Sequence, residues 1–367
     1  MTGHAPRSTA LPRLALALAM SALALALPAS VALAAPAASR ATFATPSSIA
    51  AVGRWLVVTD KATSTLSVLS ASTGAVELTV SHHALGVSAP NSAVASTTSG
   101  RTLVFVAGVG GNVAELNVAT SKASRPDVTR LRILRPAGCT RAALAHLAVD
   151  ARGHVLEACS SGVVTEWAVR MGGLVRRFSA ATTTLTNATG LAVLGTDAFV
   201  TNAATAAKGS APDSVTELSL ASGLRVRTVT NTTNPALAFS SPAGITSDGT
   251  NLWEINVTGN TVDELAGSNL AFLASSGTNI SDPGVVLATR HAVFVSSGGS
   301  WGMVTQFTGS AATLSSPWMM CNSNGPYNFY TPSGFAISGT SLWVTNEGNG
   351  LIDRMNAATG ALVKTFG

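Results

Sequence analysis

The chain has 367 residues, of which 11% are charged, and its formal net charge at pH 7 is +5. Beyond its apolar N-terminus, no stretch is long and apolar enough to cross a bilayer, which excludes a polytopic membrane protein. The basic residues lack the interleaved aromatic residues of nucleic-acid-binding surfaces, so no nucleic-acid partner is expected.

The N-terminal segment is typical of a secretory signal peptide. Arg7 and Arg13 give it a basic start, residues 14–27 form an Ala/Leu-rich apolar run, and residues 32–34 offer small side chains for cleavage. The alternative is a membrane anchor, because the apolar run is about long enough to span a bilayer. Pro28 and the small residues favour cleavage. We therefore predict a signal peptide over residues 1–34, an N-terminal extension over 35–47, and a secreted or cell-surface protein with no stable membrane span.

One short strand motif recurs along the rest of the chain. Its copies lie at residues 113–116, 164–167, 215–218, 262–265, 304–307 and 352–355, with a more distant copy at 66–69. The mean spacing is roughly 48 residues, close to the ~40–50 residues of a four-stranded propeller blade. Seven copies predict an all-β fold, a seven-bladed β-propeller of four-stranded blades over residues 48–367.

The last unit shows how a blade is predicted to be built. Its strands are expected at residues 334–338, 341–345, 350–356 and 361–366, so that the C-terminus supplies the whole blade. Residues 40–45 are an alternative source of its edge strand. Trp55, Trp253 and Trp343 recur at one strand position and are predicted to pack between blades, because radial packing covers both faces of each sheet.

Three cysteines are an odd number for an exported protein. Cys139 precedes the first strand of the third blade and Cys159 ends its second strand, so the two residues are expected at the same edge of one hairpin. The sequence allows two alternatives: a disulfide between Cys139 and Cys159, or two free thiols. Cys321 is predicted to be a buried free thiol.

The motifs give little support for catalysis. The repeated Glu115, Glu166, Glu217 and Glu264 are predicted to bond neighbouring backbone or basic groups, because blade symmetry spreads them apart. The first strands, expected to line the axis, carry almost no acids, and His146 is their one side chain that could titrate near neutral pH. No metal site and no cofactor are predicted.

Two segments stand out, one by its charge and one by its departure from the repeat. Residues 122–177 are rich in basic side chains. They could bind an anionic surface, or they could form a solvated edge of two blades. Residues 315–331 form a long connection rich in aromatic and Met side chains, which fits either a binding surface or a hydrophobic lid. The predicted ligand-binding residues are Trp318, Asn322, Tyr327, Asn328, Phe329 and Tyr330.

The sequence also resembles known propeller repeats. Residues 342–346 (Leu-Trp-Val-Thr-Asn), followed by Asp353 and by residues 358–360 (Ala-Thr-Gly), resemble the YVTN-type bacterial surface repeat. The Pro-x-Gly-Ile, Leu-Trp and Val-Thr-Glu-Leu elements are similar to NHL and streptogramin-lyase-like repeats. The resemblance implies the propeller fold of a secreted bacterial protein. Lyases of that family open a lactone ring with a histidine and a metal-assisted acid, and no local motif here places those residues.

The sequence therefore predicts a secreted, monomeric, non-catalytic propeller that binds a ligand or partner outside the cell. The partner is an unknown protein, glycan or small molecule. The alternative is a streptogramin-lyase-like or other propeller lyase or hydrolase. Carboxylates and histidines converging on the axis would favour the enzyme, whereas an axis lined by Ser, Thr and Ala would favour binding.

Overall fold

A computed structural model describes residues 42–98, 100–119, 125–140, 144–169, 173–179, 185–206, 211–298, 302–308, 314 and 317–367. The predicted signal peptide lies outside these residues. The described part forms seven antiparallel sheets of four consecutive strands each, which confirms the predicted all-β, seven-bladed propeller. Among the same residues, no helix has the length and apolar character needed to cross a membrane.

The blades follow one another along the chain. Blade 1 consists of β1 (Pro46–Val52), β2 (Trp55–Asp60), β3 (Thr65–Ser70) and β4 (Val76–Val80). Blade 2 consists of β5 (Ser92–Thr98), β6 (Arg101–Ala107), β7 (Val113–Ala119) and β8 (Asp127–Leu134). Blade 3 consists of β9 (Ala145–Val149), β10 (Val155–Cys159), β11 (Val163–Trp167) and β12 (Leu174–Phe178). Blade 4 consists of β13 (Ala188–Leu194), β14 (Asp197–Asn202), β15 (Ser214–Ser219) and β16 (Arg225–Thr230).

The last three blades repeat the pattern. Blade 5 consists of β17 (Pro242–Ser247), β18 (Asn251–Asn256), β19 (Thr261–Ala266) and β20 (Phe272–Ser276). Blade 6 consists of β21 (Pro283–Ala288), β22 (Ala292–Ser297), β23 (Met303–Thr308) and β24 (Trp318–Cys321). Blade 7 consists of β25 (Pro332–Ser338), β26 (Ser341–Asn346), β27 (Leu351–Asn356) and β28 (Leu362–Phe366). The described residues also include a short α-helix, α1 (His82–Leu85), and a 3-10 turn (Pro235–Leu237).

The first strands form a ring around the axis. Each contacts the first strands of the neighbouring blades, and β25 contacts β1, which closes the ring. Blade 7 carries its own outer strand, β28, so the C-terminus supplies the whole blade as predicted. The propeller begins with β1 at Pro46, slightly before the predicted start at residue 48.

Side-chain hydroxyls join the inner strands of adjacent blades. In each case the hydroxyl next to the start of a first strand donates to a proline carbonyl at or just before the next first strand. The bonds are Ser47 Oγ to Pro90 O (2.6 Å), Thr189 Oγ1 to Pro242 O (2.5 Å) and Ser333 Oγ to Pro46 O (2.5 Å). Proline has no backbone N–H, so its carbonyl is the polar group that needs a partner there.

A second set of bonds joins the blades further out. Here a long side chain of one blade donates to a carbonyl in the turn before the outer strand of the next blade. The bonds are Arg227 Nη1 to Asn269 O (3.0 Å), Gln306 Nε2 to Ala357 O (3.2 Å) and Arg354 Nη1 to Ser72 O (2.6 Å). The last of these links blade 7 to blade 1, so the closing interface uses the same contacts as the others.

The recurring tryptophans are buried, as predicted. Trp55 and Trp253 are 4% and 3% exposed, and Trp343 is fully buried. Each packs in a cluster shared with the next blade: Trp253 with residues of β22 and β23, and Trp343 with residues of β1, β2 and β3. Their role is packing between blades.

In six of the seven blades, the residue that ends the second strand anchors the incoming connection, and we call it the anchor residue. In five blades its side-chain oxygen accepts a hydrogen bond from a backbone N–H just before the first strand of the same blade. The pairs are Asp60 with Ala44 (2.6 Å), Asn202 with Asn187 (2.8 Å), Asn256 with Ser240 (2.7 Å), Ser297 with Ser281 (3.1 Å) and Asn346 with Tyr330 (3.4 Å). In blade 3 the anchor residue is Cys159, which is bonded to Cys139 of the incoming connection. All six therefore fix one end of a connection on the same face of the propeller.

Candidate functional site

The connection between blades 6 and 7 is closed by a pair of reciprocal hydrogen bonds. Asn322 Nδ2 donates to Phe329 O (3.0 Å), and Phe329 N donates to Asn322 Oδ1 (2.9 Å). The Phe329 side chain has no exposed surface and belongs to the core shared by the two blades. Asn322 and Phe329 therefore give the connection its shape.

Tyr327 and Asn328 attach the same connection to blade 7. The Tyr327 ring stacks on Phe329 with centroids 5.2 Å apart, and its hydroxyl donates to Gly360 O (2.9 Å). Asn328 Nδ2 donates to Thr365 Oγ1 (3.3 Å). Burial raises the pKa of Tyr327 above its ordinary value. The phenol therefore stays protonated at neutral pH and available as a hydrogen-bond donor.

Trp318 and Tyr330 are the exposed aromatic residues of this region, at 59% and 43% exposure; no other described Phe, Trp or Tyr is exposed. The Tyr330 ring lies over Gly348, where an added Cβ would be 1.9 Å from the ring, so glycine makes room for it. Trp318 Nε1 lies 3.6 Å from the Cβ position of Gly360.

Gly348 and Gly360 lie in turns at opposite ends of β27. The two exposed rings therefore lie beside turns at opposite ends of one strand and do not line one cleft. Of the six residues predicted to bind a ligand, the structure brings Asn322, Tyr327 and Phe329 together, with Asn322 exposed and Phe329 buried. The exposed Asn328 is bonded to blade 7. The structure leaves Trp318 and Tyr330 on separate exposed surfaces.

The axis of the propeller is lined by small and apolar side chains. An open cavity of about 360 Å³ lies among Ile49, Val94, Val149, Phe335 and Ile337 of the first strands. The described first strands contribute no carboxylate. His146 on β9 is half-buried, and loss of hydration lowers its pKa to about 4, so it is neutral at neutral pH. These residues supply no acid–base pair to the axis.

The repeated glutamates of the third strands each have a partner within reach in their own blade. The closest contacts are Glu115 with Arg132 Nε (2.9 Å), Glu166 with Arg176 Nε (2.7 Å), Glu217 with Arg227 Nε (2.8 Å) and Glu264 with Asn251 Nδ2 (2.7 Å). The four carboxylates are thus spread around the propeller, each held by a basic or amide group.

Blade 3 contains a cluster that the sequence analysis missed. Asp150, His154 and Glu166 place three potential metal ligands within 4.8 Å of one another. Arg152 Nη2 already lies 2.6 Å from Asp150 Oδ2 and 2.7 Å from Glu166 Oε1, and His154 Nδ1 lies 2.7 Å from the same Glu166 oxygen. Because Arg176 also contacts Glu166, basic groups surround both acids. The cluster is an ion-pair network that holds the turn between β9 and β10.

A second missed feature is a pair of buried glutamates at one position of two second strands, Glu157 in blade 3 and Glu254 in blade 5. Glu157 lies beside the disulfide, with Oε1 3.6 Å from Cys159 Sγ, and burial raises its pKa to about 8. Burial raises the pKa of Glu254 well above its ordinary value. A single charged residue in an otherwise apolar strand was the available sequence signal.

The hydrogen-bonding neighbour of Glu254 is the amide of its anchor residue, whereas that of Glu157 is the Thr165 hydroxyl. Asn256 Nδ2 donates to Glu254 Oε2 (2.9 Å) and to Asp263 Oδ2 (3.0 Å). Asp263 also accepts a bond from Ser275 Oγ (2.6 Å), and burial raises the pKa of Asp263 to about 6. The two acids of blade 5 thus share one amide.

Comparison with known proteins supports the fold and nothing finer. No family model matches the chain, and no curated protein matches it. Among solved structures, Raptor from Chaetomium thermophilum is similar, with a TM-score of 0.64 at 12% sequence identity. The match covers 84% of this chain and 27% of the Raptor chain, so this chain spans about a quarter of that protein's length. At this identity the likeness shows the fold alone.

Proposed function

We propose that this chain is a non-catalytic binding module of the YVTN, NHL and streptogramin-lyase-like repeat type, acting outside the cytoplasm of a bacterium. The observation that carries the proposal is the exposure of Trp318 and Tyr330. Exposed aromatic rings on a rigid support give contact area at little conformational cost, and they are enriched where proteins bind partners.

The axis supports binding over catalysis. A lyase or hydrolase needs groups that move protons or hold a metal at the reacting centre. The described first strands offer a neutral His146 and small or apolar neighbours there. The described third-strand glutamates point to structural use, because each already has a basic or amide partner.

The two exposed rings define two separate candidate contact surfaces. Tyr330 lies on the face of the anchored connections, with the exposed Asn328 close by in sequence, and this combination of an aromatic face and an amide suits a glycan or a protein loop. Trp318 lies on the outer strand of blade 6, on the rim of the propeller. We place the principal ligand contact at Tyr330, because its ring is held against Gly348.

The test is a binding assay with single variants. The chain without residues 1–34 is immobilised and probed with an array of bacterial surface glycans and with extracted surface proteins. We expect at least one ligand whose retention falls about tenfold or more in Tyr330→Ala, which corresponds to about 1.4 kcal/mol of binding free energy. The melting temperature should stay nearly unchanged, because Tyr330 is an exposed side chain.

Leu224→Ala is the matched control, because Leu224 is 67% exposed and lies in blade 4, away from the aromatic connection. It should retain the ligand like the unmodified chain. The proposal fails if no glycan or protein is retained, or if Tyr330→Ala and Leu224→Ala behave alike. Export is tested separately: the expressed full chain should be recovered outside the cytoplasm with an N-terminus near residue 35.

A further inference from the structure

The disulfide of blade 3 brings three metal-binding groups together. Cys139 Sγ, Cys159 Sγ and one Glu157 carboxylate oxygen all lie within 4.8 Å of one another. Cys159 and Glu157 are buried, whereas Cys139 is half-buried, so the group is open to solvent on the Cys139 side. Two thiolates and a carboxylate are donors that zinc accepts, and soft thiolates favour zinc over magnesium or calcium. The sulfurs are bonded to each other in this structure, so the donor set exists only after reduction.

Glu157 is the observation that distinguishes this group from an ordinary structural disulfide. The side chain has no exposed surface, and its Oε2 has no hydrogen-bond partner. Its Oε1 faces Cys159 Sγ at 3.6 Å, which is a weak contact. Thr165, opposite Glu157 in the sheet, hydrogen-bonds the carboxyl group. Burying a carboxyl group still costs stability that an apolar side chain would avoid.

Blade 5 shows the same position without cysteines. Glu254 is equally buried, but the anchor residue there is Asn256, whose amide donates to Glu254 Oε2 at 2.9 Å. In blade 3 the anchor residue is a cysteine, which offers the carboxyl a sulfur. The buried glutamate therefore meets an amide donor in one blade and a potential metal-binding thiol in the other.

We propose that the reduced chain binds one zinc ion through Cys139, Cys159 and Glu157. Reduction adds two electrons and two protons to the disulfide; they come from an external dithiol, which leaves as its own disulfide. The metal then displaces the two thiol protons and the carboxyl proton, so binding releases up to three protons. Three protein donors leave one position of a tetrahedral ion for water or an external ligand.

The group of Cys139, Cys159 and Glu157 also contacts the neighbouring blade. Gly111, in the turn between β6 and β7 of blade 2, packs against the disulfide, and a Cβ there would be 2.5 Å from Cys139 Cβ. The site therefore lies where blade 2 meets blade 3. A metal joining Cys139 to Cys159 would hold the incoming connection of blade 3 in place of the disulfide.

The experiment compares the oxidised and the reduced chain. The chain is reduced with a phosphine under argon, the reductant is removed, and Zn²⁺ is titrated by calorimetry. Co²⁺ is titrated in parallel, because thiolate ligands give it an intense charge-transfer absorption. We expect one equivalent bound by the reduced chain and none by the oxidised chain. Glu157→Gln should weaken binding at least about tenfold.

Glu254→Gln is the matched control, since it alters the same strand position in blade 5, and it should bind like the unmodified chain. Cys321→Ser should also bind normally, which excludes the remaining cysteine as the thiol involved. The proposal is overturned if the reduced chain binds no zinc, including through loss of its fold. It is also overturned if Glu157→Gln binds as tightly as Glu254→Gln, or if binding persists when both Cys139 and Cys159 are serine.

Discussion

Blades 3 and 5 share a buried glutamate at the same position of the second strand but surround it differently. In blade 5 the anchor residue Asn256 bonds Glu254 and Asp263 together. In blade 3 the anchor residue Cys159 is bonded to Cys139, and its sulfur lies 3.6 Å from Glu157 Oε1. Each of the two glutamates has one oxygen without a hydrogen-bond partner. The repeat thus fixes the backbone position of a side chain, while the residue two places further along decides its chemical surroundings.

The largest expected effect concerns the packing residue of blade 5. Trp253→Ala removes a ring that is 3% exposed and packs on blade 6. It also leaves Asp248 Oδ2 without the indole N–H that donates to it at 2.9 Å. We expect a loss of about 3–5 kcal/mol in the free energy of unfolding, measured by urea denaturation. Trp318→Ala should change it by less than about 0.5 kcal/mol, because that ring is exposed. If both variants lost the same unfolding free energy, burial would not explain the difference in role between Trp253 and Trp318.

The next prediction concerns pH and compares the acids of the two blades. The pKa of Glu157 rises from 4.5 to about 8, so below about pH 4.5 both the folded and the unfolded chain hold the proton. Between these values the unfolded chain releases the proton while the folded chain keeps it. Glu157 therefore lowers stability as pH rises, by up to about 1.4 kcal/mol per pH unit. Above about pH 8 both states are ionised and the contribution stays constant.

The pH prediction is measured as the difference in unfolding free energy between the unmodified chain and two variants. Glu157→Gln should remove a slope that extends to about pH 8, whereas Asp263→Asn should remove one that ends near pH 6. If the Glu157→Gln difference is flat from pH 5 to pH 8, the carboxyl is already ionised in the folded chain.

The smallest expected change in stability comes from removing one partner of a third-strand glutamate. Glu264 in blade 5 accepts a bond from Asn251, whereas Glu166 in blade 3 contacts Arg152, Arg176 and His154. Asn251→Ala should lower the free energy of unfolding by about 1–3 kcal/mol, because it removes this side-chain donor from a buried carboxylate. Arg152→Ala should lower the free energy of unfolding by less, because Glu166 keeps two basic partners. A larger loss for Arg152→Ala, by thermal or chemical denaturation, would contradict this view of the network.

The fold could be predicted from the sequence because the same local pattern recurs seven times along the chain. Strand motif, turn residues and tryptophan positions all recur with one period, so the number of blades and the packing role of Trp253 and Trp343 could be predicted. Asp60, Asn256 and Asn346 end second strands and recur with the same period, and the structure shows that they are anchor residues. The sequence shows that they recur, but the bond each makes to the incoming connection needs the three-dimensional structure.

The site chemistry was harder to predict because it depends on contacts that spacing does not reveal. Glu157 is an isolated acid in an apolar strand, and its closeness to both cysteines follows from how two strand ends and a connection meet. The long connection before blade 7 stands out in the sequence by its aromatic residues. Which rings are buried, such as Phe329, and which are exposed, such as Tyr330, depends on the fit against blade 7.

The anchor residues have a consequence for recognition. A connection whose backbone is already held by a buried side chain, as Asn346 holds Tyr330 and Asn202 holds Asn187, loses little conformational freedom when a ligand arrives. Binding free energy is then not spent on ordering the loop. The same arrangement lets the exposed residues of each connection change without disturbing the sheet beneath. The face with the anchored connections is therefore a rigid frame on which new binding specificities can arise by substitution of surface residues alone.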